Sequence, residues 1–223
     1  ASRGTLLQAD MSRRHLLIRD SLLVSRDRLF ELRTAPGETN AVSSLEIHRS
    51  TLAATRTLIS VKTPDSPTGP LDMFIEETIF APGNVTADVP GTTLLACPAQ
   101  AVRTALVSWW GRHNGFSPHL GPYLRDITSE GRSIRAGKRP AFDRQWGTAH
   151  RLAPLHGPRG VAYKESANSQ QPVSPLIFRL VKRCRAKRWG PGQSAIGADV
   201  EFLARQLGDM PTSPATSTGG PNF

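Results

Sequence analysis

Apolar residues along the first third of the chain recur at helical intervals. Met11, Ile18, Leu22, Leu29 and Leu32 follow spacings of seven, four, seven and three, which places them on one stripe of a helix over residues 5–33. Arg and Asp/Glu alternate around the rest. Asp10 with Arg14, and Arg28 with Glu31, sit at the spacings of helical ion pairs. Pro36-Gly37 ends the element. A second helix is expected over 44–60, with Leu45, Leu52 and Ile59 apolar, and the Thr, Ile and Val content of 57–62 leaves a strand open there. Thr63 to Pro70 holds three prolines and reads as an extended turn. The next helix is expected over 98–110, with Pro98 at its first turn and Val102, Ala105, Leu106 and Trp109 on one face, Trp109 in the core. Two further helices are expected over 175–189, after the Ser174-Pro175 start signal, and over 194–207, with Ile196, Val200, Leu203 and Leu207 in register. The last two form an αα-hairpin.

Residues 111–172 show no sustained period of 2 or 3.6, and Gly and Pro recur every few positions. No internal repeat is evident. The expectation is therefore a mixed, α-rich fold with long irregular segments, divided into a helical core segment (1–110), an irregular basic segment containing aromatics (111–172), a basic hairpin (173–208) and a tail (209–223), together making one domain. Gly and Pro together account for 37 of 223 residues, which fits a modest core with much irregular backbone.

Charge adds the main functional hint. The chain carries a net +10, yet residues 101–190 alone hold seventeen Lys and Arg against Asp126, Glu130, Asp143 and Glu165. Segregation of this kind selects polyanions without dictating a fold. Arg outnumbers Lys 23 to 5, and guanidinium forks bind phosphate in a bidentate geometry that ammonium cannot match. Only Cys97 and Cys184 are present, so no disulfide framework or multi-cysteine zinc site is implied, and two reduced thiols are expected. No apolar run approaches the ~20 residues that span a bilayer. The composition reads as an intracellular, organellar or viral-particle protein rather than a secreted one.

The densest chemistry is Leu176 to Trp189, where Arg179, Lys182, Arg183, Arg185, Lys187 and Arg188 surround an apolar stripe, with no acid between Glu165 and Asp199. Arg132, Arg135, Lys138, Arg139 and Arg144 precede it in the irregular segment. Aromatic rings lie among these bases, with Trp110 and Trp146 the candidates for stacking. A basic groove lined by rings holds single-stranded nucleic acid without reading its sequence. The His113/His119 and His150/His156 pairs lack the short spacing of zinc ligands, so no metal is expected. No nucleophile motif, phosphate-binding Gly-rich loop or paired-carboxylate signature appears, so no catalytic residue and no cofactor is assigned. The expected function is a structural, non-catalytic component of a ribonucleoprotein, ribosome or virion, with RNA or another polyanion and other protein subunits as partners. The rival readings are a protein–protein interaction subunit without nucleic-acid contact and, less favoured, an enzyme without recognisable motifs.

Overall fold

A computed structural model describes residues 4–36, 41–64, 68–83, 91–128, 133–137, 139–146, 178, 180 and 184–206, with backbone alone for parts of 133–146. The chain winds through strands β1 (Thr5–Asp10), β2 (His15–Arg19), β3 (Leu22–Ser25), β4 (Arg28–Arg33), β5 (Ser43–His48), β6 (Thr51–Ala54), β7 (Thr57–Lys62), β8 (Leu71–Glu76), β9 (Ile79–Pro82) and β10 (Thr93–Cys97). After helix α1 (Ala99–Arg103) come β11 (Val107–Arg112), β12 (Gly115–Phe116), β13 (Leu124–Ile127) and β14 (Ser133–Gly137), then helices α2 (Arg139–Trp146) and α3 (Val200–Gln206). Every third strand pairs with its counterpart in the next coil. The first sheet runs β1-β4-β7-β10-β13-β14, the second β2-β5-β8-β11, and the third β3-β6-β9-β12. All pairings are parallel except β13 with β14. The molecule is a three-sided β-solenoid in which each coil covers the open face of the last.

This overturns the α-rich expectation. Residues 5–33 form four strands rather than a helix, and residues 44–60 fall across β5, β6 and β7. Of 98–110, only Ala99–Arg103 is helical, and the rest leads into β11. In 175–189 the described part is a 3₁₀ turn at Arg185–Arg188, and in 194–207 the helix begins only at Val200. The 111–172 segment contains β12, β13, β14 and α2. Of the apolar positions expected on the first stripe, Met11, Ile18, Leu29 and Leu32 are buried and Leu22 is half-buried; Trp109 is buried, while Ala105, expected on the same face, is exposed. Their spacings of seven and four arose because interior rows of successive strands happen to alternate with corners.

The interior is built from ladders of like residues. Leu7, Phe30, Ile59, Leu95 and Leu124 stack in register across the first sheet. Leu16, Leu45, Met73 and Trp109 do so across the second, and Leu23, Leu52, Phe80 and Phe116 across the third. Burying each such side chain contributes about 1.5–3 kcal/mol. At the last coils the ladders turn aromatic. Phe80 stacks on Phe116 at 5.1 Å, Trp109 meets the edge of Phe142 at 5.2 Å, and Phe142 packs on Trp146 at 5.0 Å. Helix α2 thereby seats Phe142 and Trp146 over the end of the barrel-like interior, against β11, β13 and β14.

One corner recurs in every coil, between the second and third sheets. Partners there sit seven residues apart each time: His15 to Leu22, Ser44 to Thr51, Asp72 to Ile79, and Ser108 to Gly115. The turning residues Asp20, Arg49, Glu77 and His113 all take positive φ, from 44° to 53°. The next residue is small and polar: Ser21, Ser50, Thr78 or Asn114. Ser50, Thr78 and Asn114 are fully enclosed, and they satisfy the backbone that the corner frees. Ser50 Oγ donates to the His48 carbonyl at 2.8 Å, and Thr78 Oγ1 to Glu76 at 2.9 Å. Asn114 accepts the Thr78 N–H at 3.0 Å and donates to the Ile75 carbonyl at 2.7 Å. An internal repeat is thus present after all: Ile18-Arg-Asp-Ser-Leu-Leu, Ile47-His-Arg-Ser-Thr-Leu, Ile75-Glu-Glu-Thr-Ile-Phe and Gly111-Arg-His-Asn-Gly-Phe.

On the outward side of the first sheet, Glu31 lies buried under Arg28, Arg33 and Lys62, with contacts of 3.2, 2.7 and 3.1 Å. Burial alone would raise its pKa. The hydrogen bonds from Arg33 and Lys62, and the charges of both, outweigh that and hold the carboxyl below its ordinary 4.5.

Two predictions follow from this scaffold. Asn114→Ala leaves the Thr78 N–H and the Ile75 carbonyl unpaired in a dry site, at about 1–3 kcal/mol for each group. Urea unfolding is expected to show a loss of at least about 1 kcal/mol. For Glu31, a native pKa below the unfolded value means that its stabilisation is complete above pH 4.5 and is lost as pH falls through the native pKa. Glu31→Gln should therefore melt lower than the parent at neutral pH, and the gap in Tm should close as pH falls below 4.5 and through the native pKa.

Candidate nucleic-acid interface

The outward side of the second sheet carries three rows. His15, Ser44, Asp72 and Ser108 form one; Leu17, Glu46, Phe74 and Trp110 the next; Arg19, His48, Glu76 and Arg112 the third. Most of this side is of mixed charge. His48 stands between Glu46 and Glu76 at 3.5 and 3.8 Å, and Arg49 at the corner is tied to Asp20 at 2.8 Å. The last strand differs. β11 contributes Ser108, Trp110 and Arg112 and no acid, and among the described residues it is the edge strand of its sheet. Trp110 is 49% exposed and lies nearly parallel to Phe74, with 13° between the planes and 6.4 Å between centroids. Its strand neighbour Trp109 points inward and is fully buried, as period-2 alternation requires.

The C-terminal segment meets this edge at the corner. Residues 184–206 lie on the outside of the third sheet, where Leu180, Cys184, Ala186 and Ile196 pack on Ile79, and Phe178 and Val200 pack on Ala53 and Ala81. The small side chains of Ala53 and Ala81 let the segment come close. Main-chain bonds fasten it: Gly197 N–H to the Glu77 carbonyl at 2.6 Å and Ala198 N–H to Thr51 Oγ1 at 3.0 Å. His113 Nδ1 lies 2.7 Å from the Trp189 carbonyl, which can only accept, so Nδ1 carries the proton. That bond joins the β11 corner to the basic 3₁₀ turn Arg185–Arg188. The Arg185 guanidinium sits 5.3 Å from the Trp189 ring centroid in a cation–π arrangement.

The result is a strip of rings and bases: Trp110, Arg112, then Trp189 with Arg185 and Arg188. Arg185 and Arg188 are exposed, and Arg112, Lys187 and Arg188 have no ion-pair partner among the described residues. Beneath the C-terminal segment a cleft of about 860 Å³ opens toward the earlier coils. Lys187, Arg19 and Arg49 line it alongside Glu77, Asp199 and Glu201, so its charge is mixed and it does not extend the cationic strip.

Of the residues expected to bind nucleic acid, Arg185, Lys187 and Arg188 share one turn, and Trp110 stands near it across the His113 corner. Arg144 is exposed on α2. Trp146 is buried against Phe142 and is a core residue rather than a stacking surface. Arg135 lies on β14 and Arg139 opens α2, their side chains falling outside the described set. Arg132, Lys138, Arg179, Lys182 and Arg183 also lie outside the described residues. Sequence reasoning missed Arg112, His113 and Trp189 as parts of the site. The signal that could have found the first two is the recurrent corner motif, whose last copy reads Arg112-His-Asn114.

Both cysteines are buried and unbridged, and burial with the nearby Asp126 charge pushes the Cys97 thiol up to about 12, which keeps it protonated. Among the described residues no three His, Cys, Asp or Glu side chains converge as metal ligands, and no helix is long and apolar enough to cross a membrane. No family model, curated protein or solved structure matches the chain.

Gly197 gives the test of how the strip is assembled. It has φ +84°, and a Cβ there would lie 2.7 Å from Ile79 Cδ1 and 2.8 Å from Thr51 Oγ1. Gly197→Val is expected to lift the C-terminal segment off the third sheet while leaving the coils intact. Hydrogen exchange should then rise at residues 184–206 by far more than at β5 to β8.

Proposed function

We propose that this protein is a structural, non-catalytic nucleic-acid-binding component of a larger assembly, which holds RNA through phosphate contacts along the β11 edge and the basic turn. One observation carries the reading. The His113–Trp189 hydrogen bond brings two sequence-distant groups, the β11 end with Trp110 and Arg112 and the turn with Arg185, Arg188 and Trp189, to one corner of the fold. Arginine side chains free of internal ion pairs keep their full donor fork for phosphate oxygens. The charge excess of residues 101–190 supports the same reading through long-range attraction.

A second reading, a protein–protein interaction subunit, is supported by the opposite end. There β1, β2 and β3 are edge strands among the described residues, and Leu6 and Leu17 are 53% and 42% exposed. Unpaired edges of this kind accept strands from a partner.

The decisive experiment is RNA binding as a function of salt. Affinity should fall by orders of magnitude between about 50 and 200 mM salt. The Arg112→Gln, Arg185→Gln, Arg188→Gln triple variant should weaken binding and reduce the log–log salt slope by roughly 0.7 for each phosphate contact removed from a single strand. Arg14→Gln on the first coil should leave the curve unchanged. Absence of RNA binding at low salt, with the fold intact by circular dichroism, would leave the protein–protein reading standing.

A further inference from the structure

Resting on the nucleic-acid reading, the geometry points to a ligand that is single-stranded, with an unpaired base stacked on the outer face of Trp110. We infer that this ring is a base platform and not merely a hydrophobic surface residue. The reason is its position in a ladder. Phe74 covers one face of the indole from the β8 side, at 13° from parallel. On the other side no further strand of the second sheet follows β11 among the described residues, and the indole is 49% exposed. Among the residues of this outward row, Leu17 is isolated from the rings by Glu46, and Phe74 offers its face to Trp110. Of the two rings in this row, Trp110 is the more exposed, at 49% against 39% for Phe74.

The neighbours of that face suit one nucleotide. Ser108 and Arg112 flank Trp110 on the same side of β11, each roughly 6.6 Å along the strand. The guanidinium of Arg112 can reach the phosphate of a base placed on the ring, and the Ser108 hydroxyl can serve the base edge or the ribose. Asp72, Glu76 and Glu77 lie one coil back, where they oppose phosphates and confine a bound strand to the β11 side. Beyond Arg112, the corner leads to Arg185 and Arg188. A duplex keeps its bases stacked on one another and paired, so it cannot insert one into this layer without losing those contacts. A single strand can, and base–aromatic stacking tolerates any base because every base has a π-face.

The test compares three probes of equal charge on the full chain: a single-stranded oligoribonucleotide, the same length of abasic ribose-phosphate backbone, and a duplex carrying the same number of phosphates. The single strand is expected to bind tighter than the abasic backbone by about 5- to 150-fold, the range of one stacked base, and to quench tryptophan fluorescence. Trp110→Leu should abolish the quenching and bring the single strand down to the abasic value, while abasic binding stays unchanged. Trp110→Phe should restore part of the difference. Equal binding of all three probes, or a Trp110→Leu variant that keeps the preference, overturns the inference while leaving phosphate binding in place. Failure of every probe to bind at low salt overturns the nucleic-acid reading itself.

Discussion

Parallel, in-register pairing between coils is the constraint on which everything else in this molecule depends. Once β2, β5, β8 and β11 are aligned residue for residue, each side chain is stacked on its counterpart from the coil before. A single choice of inside or outside is then imposed on a whole row. The corner between the second and third sheets keeps this alignment. A left-handed residue costs about 1 kcal/mol or more when it is not glycine, and here Asp20, Arg49, Glu77 and His113 all accept it. The buried Ser, Thr or Asn that follows offsets that cost by pairing backbone groups that would otherwise be stranded. Because the corner is always closed in seven residues, variation in coil length is displaced elsewhere: first-sheet partners Thr5, Arg28, Thr57 and Thr93 are separated by 23, 29 and 36 residues.

With separations so unequal, the repeat has no fixed period along the sequence. The strands were obscured for a second reason. Parallel strands covered on both sides lose alternation and become continuous apolar runs. Leu58-Ile59 and Leu94-Leu95 are buried on both faces, so no period of 2 survives there. In β1 and β2, where alternation does survive, the interruptions at Met11 and Ser21 created spurious spacings of seven and four. What was legible was burial. Met11, Ile18, Leu29, Leu32 and Trp109 were identified as interior from their apolar character, and that holds whichever element carries them. The pairing of Arg28 with Glu31 was also anticipated, and it exists at 3.2 Å, although on a strand and shared with Arg33 and Lys62.

Composition suggests candidate residues for the proposed strip but not their placement. The basic turn and Trp110 were named from charge and ring type alone, yet nothing in the sequence shows that residues 76 positions apart, His113 and Trp189, would touch. Trp146 illustrates the limit. Its neighbourhood is as basic as that of Trp110, and the two differ only in that one closes the interior under α2 while the other stands on the outward row of an edge strand. Such a difference is a property of topology, which local patterning does not carry.

The same topology accounts for where charge accumulates. In the first three coils, outward acids and bases are interleaved by register: Asp20 meets Arg49, His48 meets Glu46 and Glu76, and Arg33 and Lys62 meet Glu31. Some of these pairs bridge neighbouring coils, as Asp20 with Arg49 and Lys62 with Glu31, and others lie along one strand, as Arg33 with Glu31. Among the described residues no strand follows β11 in its sheet and Arg112 has no ion pair, and the turn at Arg185–Arg188 is joined to the β11 corner by the His113–Trp189 hydrogen bond. On β11 an exposed ring and an exposed guanidinium, Trp110 and Arg112, stand along one strand, and the coils behind it carry that strand in register.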